Sequence, residues 1–377
     1  MARTLIRKNP SNFKTLPLHV EATPEGLTYQ SIGMPLNFAQ TQQRRKAIQL
    51  PDTQRFVVEL ANLGVSVRLT LHWQNRDYWV LVRQRRQDRG DVVLKLISGY
   101  VPAQELNLPL HTAVQEVAEE CLLETPEGWL GGRFNDTWLP VPYAAALHYR
   151  ETPHFVLTPQ SGAARPVHCS KLMLMERPRA YVHLPTASLQ LIYDMRLQVP
   201  REAKKLSLFH VDERLEGDQL EARLNRKRPD LYLMPLKDGQ PVAELYTLKK
   251  DELVPASTRG LYLAESFARQ EGWVVTEERV RWKDWVKQQG WWRASRRGRR
   301  TCSGLATRPG RCWSAPAPHF TSESLGLLRS QSPARQLPQG LCRTQGLRCA
   351  CGSWLGGDWA QRGPGCISSC ESSRQSR

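Results

Sequence analysis

Cysteine is scarce where the chain has globular composition: residues 1–290 contain only Cys121 and Cys169. Such a chain has no disulfide framework and suits a reducing, cytoplasmic setting. Long apolar runs are missing too. None approaches the ~18 residues of a membrane span, and Met1-Ala-Arg-Thr-Leu-Ile-Arg-Lys8 is too polar for the apolar part of a signal peptide. No G-x4-G-K-[ST] loop occurs, and no G-x-G-x-x-G or G-x-S-x-G in a useful context, which argues against P-loop, dinucleotide-fingerprint and serine-elbow chemistry. His148, His154, His168, His183 and His210 form no HxH or HxxxH pair and read as ordinary polar residues. His168 and Cys169 are adjacent, so in a strand they point to opposite faces and make a poor thiolate pair. No internal repeat stands out.

Composition changes abruptly at Trp291. From there on the chain has no Lys, Val, Tyr, Asn or Met, yet holds 7 of the 9 cysteines, 14 of the 53 basic residues and 3 of the 36 acids. Of the formal charge of +17, only +6 belongs to residues 1–290, too little to argue for nucleic-acid binding by the core. Arg, Ala, Gly, Pro, Cys and Trp rise together when GC-rich DNA is read out of frame. Residues 291–377 are therefore expected to be disordered or a frameshift product. Two other readings are a disordered Arg-rich nucleic-acid arm around Arg296-Arg297-Gly298-Arg299-Arg300 and a small zinc module using Cys349, Cys351, Cys366 and Cys370, although no CxxC pair is present.

The remaining 290 residues divide into a polar, proline-punctuated extension (1–50) and a core (51–290). Arg44-Arg45-Lys46 reads as solvated surface. Strands are expected at Leu16–Val20, Phe56–Leu60, Ser66–Trp73, Tyr78–Val82, Val92–Ile97, Leu189–Tyr193, Leu206–His210, Leu231–Met234 and Ala243–Thr247. Gln74 to Asp77 reads as a turn, and Gly131-Gly132 lies in a loop-rich stretch. Helices are expected at Pro109–Leu123, Tyr262–Arg269 and Glu277–Lys287, with Trp282 and Trp285 covering the core. The pattern is α+β, with mixed strands and few helices.

The chemistry concentrates between Gly99 and Leu123. Ala113, Val114, Val117, Ala118 and Cys121 make an apolar stripe on the helix, and Glu116, Glu119 and Glu120 share another face at i, i+3 and i+4. Like charges so placed cost an isolated helix about 0.2–0.5 kcal/mol per pair. A divalent cation would turn that repulsion into affinity, whereas the plainer reading is a solvated acidic face.

The order of strand, basic loop, strand, glycine turn and glutamate helix over Tyr78 to Leu123 resembles the Nudix hydrolase family, whose signature is G-x5-E-x7-R-E-U-x-E-E-x-G-U with U aliphatic. Gly99-x5-Glu105 matches the first half, and Gln115-Glu116-Val117-Ala118-Glu119-Glu120-Cys121-Leu122-Leu123 much of the second. The spacer has nine residues instead of seven, Gln115 replaces the arginine and Leu122 replaces the second glycine. The resemblance implies a mixed sheet with flanking helices and Mg²⁺ or Mn²⁺ held by Glu116, Glu119 and Glu120. It also implies hydrolysis of the pyrophosphate bond in a small nucleoside-diphosphate-linked substrate. Glu116 would double as the group activating water, Glu105 would support the turn or the metal, and Gly99 would allow close backbone approach. Arg83, Arg85, Arg86 and Arg89 would meet the polyphosphate, unless they simply solvate a hairpin loop. The departures motivate the alternative of an inactive Nudix-like module that binds a nucleotide, RNA or protein. No sequence feature requires a dimer or rules one out.

The frameshift hypothesis for the tail makes one prediction at the DNA level. Resequencing the locus in independent isolates should find the frame after Gly290 inconsistent between them, and a single intact frame throughout would overturn it.

Overall fold

Apolar residues recur so densely between Leu60 and Val82 that both faces of those strands call for cover. The computed structural model, which describes residues 2–9, 13–85, 92–160, 162–163, 165–216, 219–228 and 230–289, provides it. The elements that position the site are, in chain order, β1 (Arg3–Lys8), β2 (Leu18–Ala22), β3 (Leu27–Ser31), α1 (Phe38–Arg44), β4 (Phe56–Leu60), β5 (Asn62–Trp73), β6 (Arg76–Arg85), β7 (Val92–Lys95), β8 (Ile97–Tyr100), α2 (Pro109–Glu120), β9 (Cys121–Thr125), β10 (Ser188–Gln198), β11 (Ser207–Glu216), β12 (Gln219–Leu224) and α3 (Trp282–Gln288). Among the described residues the strands form one large mixed sheet of twenty, a five-stranded sheet and a two-stranded one. Helices are few, so the fold is mixed, as the sequence pattern implied. None of these helices is long and apolar enough to cross a membrane.

β5 is the spine. One edge pairs in parallel with β10, from Asn62↔Ser188 to His72↔Gln198. The other edge is shared end to end: β8 takes Gly64 to Val67 and β6 takes Thr70 to Trp73, both antiparallel. The β5–β6 hairpin closes on Gln74 and Asn75, whose φ angles of 48° and 60° give the two-residue loop that matches strand twist. Val65, Val67, Leu69 and Leu71 are wholly buried, as are Leu189, Leu191 and Leu197 across the ladder. Residues 1–50 join the same framework: β1 pairs with β12, and β2 pairs with β3 and β4. α1 is started by Asn37, whose side chain accepts from the Gln40 amide while Gln40 returns the bond.

Several local expectations are corrected. The helix stops at Glu120, and Cys121 to Leu123 are strand. Those three residues are buried on both faces and pair with β11, an alternative that outweighs continued helix. Gly131 and Gly132 lie within a strand, Gly128–Phe134, and not in a loop. A Cβ on Gly132 would overlap the Phe155 ring, so the glycine serves close packing rather than a turn. Tyr262–Ala264 and Arg279–Arg281 pair with each other as strands; the region keeps a 3₁₀ turn at Glu265–Phe267 and the helix α3, with Trp282 and Trp285 buried as expected. The tail from Trp291, with Arg86 and Arg89 of the basic loop, lies outside the described residues.

Because Leu191 is wholly buried opposite Val65, Leu191→Ala should cost about 2–5 kcal/mol in urea unfolding. A loss below about 1 kcal/mol would place it outside a close-packed core.

Candidate metal and phosphate site

Local contacts fix the phase of α2. A short 3₁₀ turn, Ala103–Glu105, precedes it, and Pro109 occupies its first turn, where a missing N–H costs nothing. Glu105 Oε2 accepts from Thr112 Oγ1 at 2.6 Å, and Oε1 meets His111 Nδ1 at 3.1 Å, so this carboxylate secures the helix entrance. Tyr29 holds the preceding turn by donating to the Leu106 carbonyl at 3.1 Å. Pro109, Thr112, Ala113, Val114, Val117 and Ala118 are buried, and the glutamates follow on the flank of that stripe.

The glutamates do not form a solvated face. The Glu119 and Glu120 side chains retain only 16% exposure each. The Glu116 carboxylate lies directly over Gly99, where a Cβ would overlap it. Glu119 accepts from Lys8 Nζ and from Gln115 Nε2, each at 2.9 Å. Glu120 Oε1 meets Lys95 Nζ at 3.4 Å, while its Oε2 is buried with no hydrogen-bond partner among the described residues. Lys8 reaches a fourth carboxylate, Glu213 of β11, at 3.4 Å. His210, on the same strand, donates from Nδ1 to the Glu120 carbonyl at 3.2 Å.

Charge is concentrated here beyond what solvent can relieve. Lost hydration, then the charges of Glu120 and Glu119, hold the Glu116 carboxyl well above the usual carboxylate range. Lost hydration also raises Glu213, with Lys8 opposing the rise and Glu119 adding to it. Burial opposes the charge on Lys8, yet Glu119 and Glu213 outweigh it and keep the ammonium raised. Burial lowers His210, favouring neutral imidazole.

Beside this cluster runs a cleft of about 1120 Å³. Arg83, Arg85 and Gly99 line it, whereas Glu116, Glu119 and Glu120 do not. The two regions meet through Lys95 and Glu213, both on the cleft. Lys95 Nζ also bonds the Ser98 carbonyl at 3.3 Å and Oγ at 3.1 Å. Arg83 is paired with Asp230 at 3.5 Å. Ser66, Ser98, Tyr100, Gln190 and His183 also line the cleft. Sequence reasoning missed Lys8, Lys95, Glu213 and Arg45. Arg45, expected as solvated surface, is half-buried with its guanidinium 5.3 Å from the Tyr100 ring centroid.

Carboxylate oxygens are the donor type that a hard divalent cation takes; those of Glu119 and Glu120 are largely withdrawn from water, and Glu120 Oε2 has no partner among the described residues. In the observed arrangement Lys8 and Lys95 supply the compensating charge. Among the described residues no three His, Cys, Asp or Glu side chains converge as a ready-made metal shell. No protein-family model matches the chain, and no curated protein matches it.

The raised Glu116 carboxyl fixes the sign of a pH effect. Its folded value lies above the unfolded value of about 4.3, so its contribution is intact below that pH and is lost as pH rises through the folded value. Without divalent cations, Glu116→Gln should therefore melt higher than wild type at pH 7–8. The gap should close as the pH falls towards about 4.3. Thermal melts in EDTA across this range check it, and a pH-independent gap would contradict it.

Proposed function

We propose that the chain is a Mg²⁺- or Mn²⁺-dependent hydrolase of a nucleoside-diphosphate-linked pyrophosphate bond, of the divergent Nudix type that Gly99 to Leu123 resembles. The observation that carries this reading is the gathering of Glu116, Glu119, Glu120 and Glu213 beside Gly99, next to a cleft bearing Arg83, Arg85 and Lys95. Three carboxylates largely covered on one helix flank, with a fourth beside them, are costly unless cations meet them.

Glu116, Glu119 and Glu120 would hold the cation, Lys8 and Lys95 yielding their contacts. A divalent cation supplies charge neutralisation along a phosphate chain and acidifies water within its reach. With the cation displacing its proton, Glu116 would also be the group placed to take a proton from the attacking water. Lys95 and Arg83 offer donors to phosphate oxygens. The arginine missing from the signature has a counterpart in space: Gln115 donates to Glu119 as a neutral amide, and Lys8 of β1 brings the positive charge.

The engagement of Glu119 and Glu120 by lysines favours a second reading, a module that binds nucleotide without turning it over. One experiment separates them. The full chain is assayed for phosphate or nucleotide release from a panel of nucleoside diphosphate derivatives, with and without Mg²⁺ or Mn²⁺. Metal-dependent release is expected, falling at least about 100-fold in Glu119→Gln or Glu120→Gln, the scale of several kcal/mol for metal-assisted hydrolysis. Undiminished release in both variants would remove the carboxylates from the mechanism. No release from folded protein that still binds nucleotide would establish the module.

A further inference from the structure

One wall of the cleft takes no part in the chemistry above. α1 contributes Phe38 and Gln42 to it, and Arg45 follows at the end of that helix. Arg45 lies against the Tyr100 ring, and its Nη1 donates to the Tyr100 hydroxyl. Its Nε is buried and has no acceptor among the described residues, and no carboxylate among them pairs with it. Three other cations on the same cleft are answered: Arg83 by Asp230, Lys95 by Glu120 and Arg214 by Asp212. A half-buried guanidinium on the cleft, held by a tyrosine and paired with no carboxylate among the described residues, has the chemistry of a phosphate receptor. Its place matters as much. Tyr100 is the neighbour of Gly99, so the guanidinium stands one strand residue away from the backbone that seats Glu116.

We propose that Arg45, oriented by Tyr100, binds a phosphate of a nucleotide in this cleft, and that Phe38 on the same wall contacts the nucleoside carried by that phosphate. Phe38 is 51% exposed, which leaves its ring free for such contact. The proposal rests on the hydrolase reading for its substrate class, but its geometry is separate from the carboxylates. Arg45 is a binding and positioning residue: it selects which phosphate is held away from the cluster and so which bond is presented to it.

The test is equilibrium binding, with EDTA present, of ADP and of inorganic pyrophosphate to the full chain by calorimetry. Arg45→Gln should weaken both ligands about 10- to 100-fold, the range for one charge-assisted contact. Arg45→Lys should recover part of that loss, and Tyr100→Phe should cost less than Arg45→Gln. Phe38→Ala should weaken ADP and spare pyrophosphate. Melting curves accompany each variant, and Arg45→Lys with Tyr100→Phe carry the test should Arg45→Gln fail to fold. Equal ADP affinity in wild type and Arg45→Gln overturns the proposal, as does folded wild type that binds neither ligand. Turnover distinguishes the two readings. Arg45-dependent binding without turnover keeps the anchor and removes the hydrolase. Turnover whose KM is indifferent to Arg45 keeps the hydrolase and removes the anchor, whereas a raised KM at unchanged kcat supports it.

Discussion

The contact between the Glu116 carboxylate and the bare backbone of Gly99 governs where every other charge near α2 can go. Only a residue without Cβ leaves room for that carboxylate at the sheet. Once Glu116 is seated there, helical geometry brings Glu119 and Glu120 to the same flank, also largely out of water. Dehydrated like charges repel, so the surrounding strands must answer them. β1 does so with Lys8 and β7 with Lys95, while β11 adds a further acid in Glu213. Such a cluster is poor as a source of stability. A cation would relieve that cost, which is why the site rather than the fold carries the proposed function.

The N-terminal 50 residues gain meaning from the same balance. As sequence they are a polar extension; in the structure they pair into the sheets and deliver two cations to the site. Lys8 faces the carboxylates, and Arg45 faces the cleft. Removal of this segment would thus take away pairing strands, the counter-charge of Glu119 and one cleft wall together.

Short-range signals were legible. The apolar stripe of α2 is buried residue for residue from Ala113 to Ala118, and β4 has the limits that its apolar run implied. The hairpin of Gln74 and Asn75 and the burial of Trp282 and Trp285 follow likewise from local composition. What failed was decided by distant partners. Cys121 to Leu123 continue a helical stripe, but pairing with Leu208, Phe209 and His210 draws them into a strand. Gly132 resembles a turn glycine until Phe155, far along the chain, fills the space above it. Glu213 and Lys8 carry no motif, and they join the cluster because β1 and β11 both pair with β12. Arg45 looks like one member of a surface triplet, and only the fold brings Tyr100 beneath it.

The parity of β8 then explains how opposite charges coexist within a few residues. Successive strand residues point to opposite sides. Gly99 is turned towards α2 and its carboxylates, while Tyr100 meets Arg45 on the other side. Lys95 joins the two sides, bonding Glu120 as well as Ser98. A slip of one residue in the β8–β5 register would place Tyr100 where Glu116 now sits and turn Gly99 towards the guanidinium. That slip is opposed by the pairing of Gly99 with Val65 and Tyr100 with Gly64, and by the Gln190 carboxamide packed over Gly64. The separation of Arg45 from the glutamates is therefore a property of sheet register, held by two glycines on adjoining strands.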